Sequence, residues 1–334
     1  MSKSKARIHV IGTGGSIAGV GPNRLDYTQY AELGEKLTIQ QSLDRIPEVG
    51  DISEVTSEDF ISVGSGAIGP NEWLKLGQRC NELLEINDID GMVITHGTAT
   101  LEETAYFLQL TIKSRKPVVM TGSMRPPTAL GTDADVNLMD AIRVASSVEA
   151  SGMGVLTILN NEIHSARDVH KSNTLRVETF RPNELGFLGY ADSDGEVMFY
   201  RSPTRKHTWD TGFDVGNRKE LPRVDIVYGY AGSDGLLVDA VRGQGSAGLV
   251  MTGFGSGTFP PGMLDSGSEA VREGIPVVIA SRSTAGRTVI TPRVTNLGFI
   301  VADNLQPQKA RILLMLGLTI TDDRDLLQKM FFEY

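Results

Sequence analysis

The chain has 334 residues, 40% hydrophobic and 22% charged, with 37 glycines; this composition excludes a disordered or fibrous protein and leaves room for two domains. A formal net charge of −9 repels phosphate backbones and argues against nucleic-acid binding, while leaving room for a local basic pocket. One cysteine, Cys80, excludes an internal disulfide and a paired-cysteine zinc site.

The N-terminus, MSKSKARIHVIGTGG, begins like the basic part of a leader. Only a few apolar residues precede its first glycine, and no small-residue cleavage site follows. No stretch approaches the ~18 apolar residues that span a membrane. The sequence therefore predicts a cytoplasmic protein, or a periplasmic one whose leader has been removed.

In chain order, Ile8–Gly12, Met92–Thr95, Pro117–Thr121, Val155–Leu159, Asp225–Tyr228, Leu249–Thr252 and Pro276–Ala280 read as strands. Each is short, rich in Val, Ile or Met, and followed closely by a polar or glycine turn, as in parallel sheets buried on both faces. Between them lie helical patterns: the stretch around Cys80, Glu102–Lys113, Asp135–Ser147 and, with Pro in its first turn, Pro307–Leu316. Cys80 itself reads as a small buried hydrophobe. Alternating strands and helices predict an α/β fold. The pattern lapses from about Asp192 to Leu221, which suits a connection. The expected division is a larger N-terminal domain (1–195) with a mostly parallel sheet, a connecting segment (196–219) and a smaller parallel-sheet domain (220–334).

Three polar turns follow first-domain strands or lie near them, and ligands of open α/β sheets bind at the carboxyl ends of strands. The first, Gly12-Thr13-Gly14-Gly15-Ser16-Ile17-Ala18, can approach a ligand closely through its glycines. Ile17 stands where a dinucleotide fingerprint needs its third glycine, and no P-loop lysine follows. A nucleotide-dependent oxidoreductase is thus the weaker reading. The second turn, Thr95-His96-Gly97-Thr98-Ala99-Thr100, runs into Leu101-Glu102-Glu103-Thr104, so Thr100 reads as an N-cap with Glu103 at the capping-box position. The third, Ala166-Arg167-Asp168-Val169-His170-Lys171, carries a lysine that is ordinary surface unless the fold brings it to Thr98. Desolvated there, it can lose its proton and act as a base. No G-x-S-x-G elbow leads from a strand into a helix, and the five histidines show no zinc spacing.

Together these segments resemble the bacterial-type L-asparaginase/glutaminase family. The markers are TGGSIAG (Thr13–Gly19), Tyr27 within DYT, VGSG (Val63–Gly66), VITHGTATLEETAYFL (Val93–Leu108), KPVVMTGSMRP (Lys116–Pro126), ARDVHKSNT (Ala166–Thr174) and QPQKAR (Gln306–Arg311), in the family's order. RKHTWDTGFDV resembles its connecting segment. The resemblance implies a threonine-nucleophile amidohydrolase that forms an acyl-enzyme and releases ammonia, with no metal or organic cofactor. Thr13 would attack the amide carbonyl. Tyr27, on a mobile loop, would polarise it. Thr98 and Lys171 would form a second activating pair. Ser65 would hold the substrate α-carboxylate, and backbone N–H groups near Thr13 and Thr98, at Gly14 and Gly97, would stabilise the oxyanion. A homotetramer built from close dimers is implied, with sites shared between subunits.

Three positions that hold the substrate α-ammonium in the family depart here. They are Gly66, Ala99 and Arg293, the last aligning with a glutamate from a neighbouring subunit; a partner asparagine becomes Ser256. An ammonium removed from water needs acceptors, and a cation facing it costs binding. The sequence therefore predicts a small carboxylate-bearing amide as substrate, with specificity altered away from α-amino acids. The alternatives are a true L-asparaginase or glutaminase, in which Asp26 or Asp133 replaces the lost acceptors; a hydrolase of a small acidic lactone or ester; and a binding protein that kept the fold.

Overall fold

A computed structural model describes residues 4–334. The leader-like basic start falls partly on residues 1–3, outside the described residues. Two compact units are present, the first ending at Thr211 and the second running from Gly212 to Tyr334.

The first unit is built on an eight-stranded mixed sheet. Its strands are β1 (Ala6–Gly14), β2 (Ser53–Val63), β3 (Gly91–Thr95), β4 (Val118–Thr121), β5 (Val155–Leu159), β6 (Glu162–Ser165), β9 (Gly189–Ala191) and β10 (Val197–Phe199), with a separate ribbon of β7 (His170–Lys171) and β8 (Phe180–Arg181). The order is β10-β9-β6-β5-β4-β3-β1-β2. Pairing from β2 to β5 is parallel and from β5 to β10 antiparallel. β3 and β5 are buried at every residue, which is why their sequences are continuous apolar runs rather than alternating ones. One core joins Val10, Val93, Val119 and Leu156 to Leu138, Ile142 and Ala145 of the helix Ala134–Ser146.

The second unit has a four-stranded parallel sheet, β11-β12-β13-β14, made of Val224–Tyr228, Gly248–Gly253, Val277–Ser281 and Ile300–Val301. Its core gathers Val227, Leu249, Met251, Val277 and Ile279 with Val238, Met263 and Phe299. The α/β class read from the sequence is therefore the observed one. β2 was not anticipated, because SEVTSEDFISV is mostly polar. It survives as a strand because it is the sheet's edge and carries a burial pattern of exposed and half-covered residues. No described helix is long and apolar enough to cross a membrane.

Candidate active site

β1 and β3 run parallel with Gly12 beside Thr95, so the residues that follow each emerge together at the carboxyl end of the sheet. On the other side, the β1–β2 register slips between Gly12 and Gly14. Thr13 thus sits at an irregularity, fully buried, and its hydroxyl donates to the Thr95 carbonyl at 2.8 Å.

Glycine is required where the turns meet. Gly14 and Gly15 have φ of 88° and 84°, in the region that side chains avoid. The Gly15 N–H donates to the Val63 carbonyl at 3.0 Å. A Cβ on Gly15 would stand 2.3 Å from the Gly97 Cα, and one on Gly97 would stand 2.9 Å from the Ser65 side chain. Three loops, carrying Thr13, Ser65 and Thr98, therefore meet so closely that glycine is needed at their junction.

The junction is tied by side chains that the sequence pointed to differently. Thr100 occupies the N-cap of the helix Leu101–Thr111, but its hydroxyl makes no capping bond. It donates instead to the Ser65 carbonyl at 2.8 Å, fastening one loop to the next. The expected capping box is absent because that hydroxyl is engaged elsewhere. Behind the turn, Trp73 Nε1 donates to Thr104 Oγ1 at 2.9 Å, and Thr104 lies 3.0 Å from His96 Nε2. His96 Nδ1 lies 2.8 Å from the Gly97 carbonyl. A carbonyl only accepts, so Nδ1 carries the proton and Nε2 accepts from Thr104. Burial lowers the His96 pKa to about 4 from 6.5, so this imidazole is neutral and structural rather than a base.

Lys171, on β7, donates through Nζ to Thr98 Oγ1 at 2.7 Å. The contact that the sequence left conditional is made. Burial pushes the Lys171 pKa down, opposed by the charge of Glu102. Glu102 is itself buried and accepts the Lys171 backbone N–H at 2.5 Å. Sequence reading assigned nothing to Glu102. Its signal was only an acidic pair in a helix's first turn.

Ser65 is buried at the first position of a short 3₁₀ turn, with Gly66 beside it. A Cβ on Gly66 would meet nothing within 4 Å, and Ala99 is exposed, so neither position supplies a polar acceptor. Nor are the two substitute carboxylates at liberty. Asp26 accepts backbone N–H groups of Thr28, Gln29 and Tyr30. Asp133 accepts those of Met124 and Arg125 and the Asn137 amide.

Tyr27 is not hydrogen-bonded to Thr13. Its hydroxyl donates to the Leu130 carbonyl at 3.2 Å, and the Arg125 guanidinium lies 5.4 Å from its ring centre. The neighbouring chain is held to the same loop, with Leu130 N–H on the Arg24 carbonyl at 2.7 Å and Gly21 N–H on Thr128 Oγ1 at 2.9 Å.

In the second unit, Ser256 and Arg293 line one cleft of about 80 Å³ with Thr258, Phe259, Val289 and Thr291. The Val289 N–H reaches the Ser256 carbonyl at 3.4 Å. Both residues are exposed, Arg293 on the single-turn helix Pro292–Asn296, whose N-cap is Thr291.

A sheet whose strand ends bring glycine turns onto a buried threonine and a threonine–lysine contact defines a class of hydrolase. Residues 7–205 match the family model described as asparaginase, N-terminal, and residues 223–331 match the glutaminase/asparaginase C-terminal domain. The chain belongs to the asparaginase family of hydrolases. It is 43% identical over 334 residues to L-asparaginase 2 of Bacillus subtilis (99% of this chain, 88% of the relative). To the glutaminase-asparaginase of Pseudomonas fluorescens it is 39% identical over 332 residues (98% and 91%). A solved structure of a probable cytoplasmic L-asparaginase from Campylobacter jejuni superposes with a TM-score of 0.94 at 39% identity, covering 99% of this chain and 100% of that one.

Proposed function

We propose that this protein hydrolyses the side-chain amide of L-asparagine or L-glutamine, with Thr13 as nucleophile. The Thr13 oxygen adds to the amide carbon, the C–N bond breaks as ammonia leaves with a proton, and water hydrolyses the resulting threonyl ester. The observation that carries this reading is the 2.7 Å Lys171–Thr98 contact on a turn in backbone contact with the Thr13 turn. A neutral threonine hydroxyl needs a base or a polarising partner, and a lysine with a lowered pKa is such a base. Tyr27 leaves Leu130 to polarise Thr13 when substrate binds, closing water out. N–H groups of Gly14 and Gly97 hold the oxyanion, and Ser65 holds the α-carboxylate. The names of the full-length relatives supply the choice of L-asparagine and L-glutamine.

A second reading is favoured by the state of the acceptor positions: Gly66 faces open space, Ala99 is exposed, and Asp26 and Asp133 are committed elsewhere. On this reading the substrate is an acidic amide without an α-amino group, and Arg293 with Ser256 contributes to its recognition. Ammonia release from L-asparagine and from succinamate, its analogue lacking the α-amino group, separates the two. Higher kcat/KM on L-asparagine supports the first; higher kcat/KM on succinamate overturns it in favour of the second.

We further propose a cytoplasmic homotetramer with residues 1–195 as the catalytic domain, 196–219 as connector and 220–334 as the second domain. Apolar side chains left exposed on the second unit, Tyr228, Leu236 and Leu237 among them, support assembly.

A further inference from the structure

We propose that Glu102 is a positioning residue for the Thr98–Lys171 pair, setting both where Lys171 stands and the charge it faces. The inference rests on the reading that this pair activates a nucleophile.

Lys171 belongs to a two-residue strand, the shortest kind of regular element, which holds its own position weakly. On the β7–β8 ribbon it lies opposite Phe180, an apolar residue. Arg181, opposite His170, is engaged with Glu162 and Glu178. The tie from the other side is Glu102, whose carboxylate takes the Lys171 backbone N–H at 2.5 Å while Lys171 Nζ reaches Thr98 at 2.7 Å. Backbone and side-chain end of one lysine are thus fixed by two residues four positions apart, Thr98 in the turn before a helix and Glu102 in that helix's first turn. Glu102 is 8% exposed and Thr98 7% exposed, so both contacts are shielded from water, where a charge acts more strongly than at the surface.

The turn itself provides no negative charge, because its residue 99 is alanine. The Glu102 charge bears on the Lys171 ammonium and works against the desolvation that lowers its pKa. Without that carboxylate, Lys171 would lose its proton at still lower pH. The two functions of Glu102 separate chemically. Glutamine keeps an oxygen to accept the Lys171 N–H but carries no charge; alanine removes both.

The test measures kcat and KM against pH for Glu102→Gln, Glu102→Ala and Lys171→Met, with thermal melts on each. For Glu102→Gln, a kcat near wild type at its optimum is expected, with the acidic limb of the profile displaced to lower pH. For Glu102→Ala, kcat is expected to fall about tenfold or more at unchanged KM, as misplacing a positioned group does. A Glu102→Gln profile superimposed on wild type overturns the proposal, and so does a Glu102→Ala variant with wild-type kcat. Should Glu102→Ala fail to fold, the Glu102→Gln profile decides alone. Wild-type kcat in Lys171→Met removes the pair from the mechanism, which overturns the underlying reading and this proposal together.

Discussion

Thr13 rests with its proton directed at the Thr95 carbonyl, so under the proposed mechanism its attack on a substrate requires that hydrogen bond to be exchanged for one to a base. A Thr13→Ala variant keeps the turn's backbone but lacks the oxygen, and its kcat is expected to drop roughly 10³-fold or more, checked by ammonia release on protein with native circular dichroism. Lys171→Arg keeps the charge but cannot lose its proton near neutral pH. Its kcat should fall about 10²-fold or more, the scale of general-base contributions. His96 gives a prediction about stability rather than turnover. Burial holds its folded pKa at about 4 against 6.5, so the unfolded chain takes up this proton first as the solution is acidified. The stability that neutral His96 provides is complete above pH 6.5 and is lost as pH falls towards 4, about 3 kcal/mol in all. Urea midpoints of wild type and His96→Gln across that window should converge on acidification. A gap that stays constant would disprove the linkage. Sequence motifs singled out Thr13, Thr98 and Lys171, and the last two are found in contact. They could not show the neutral, bridging character of His96, which arises from three hydrogen-bonded side chains far apart in sequence.

Among the elements, legibility followed burial. Strands covered on both faces announced themselves as apolar runs, and all seven anticipated segments coincide with observed strands to within about one or two residues, the usual uncertainty of such boundaries. β2 and the antiparallel β6, β9 and β10 escaped notice. Their cue is alternation or none, and their position at or near a sheet edge lets polar residues stand. The capping box at Thr100 failed for a different reason: a local motif lost to a long-range bond with Ser65. Connections between elements are where the site is held together. Trp73, on the helix Pro70–Leu84, reaches Thr104, on the helix Leu101–Thr111, and through it the His96 turn. Trp73→Phe deletes one donor and leaves a void where the second ring of the buried indole stood. It should cost about 2 kcal/mol or more, read as a lowered melting temperature. A variant as stable as wild type would show that the bond contributes nothing net.

For the whole molecule, each chain has a mass of 36.1 kDa, and static light scattering is expected to give four times that value. A monomer retaining full activity would contradict sites shared between subunits. Sequence could suggest this assembly only through family likeness, since an interface is a property of two surfaces and one chain's pattern displays only its own core. The −9 net charge likewise belongs to the molecule as a whole and does not say which faces meet. At Gly15 and Gly97 a single added carbon would collide with the neighbouring loop, whereas at Gly66 it would find empty space. Mutation is therefore locked out of Gly15 and Gly97 by crowding, whereas one codon from Ser65, at Gly66, evolution or an engineer can add a side chain without displacing a neighbour.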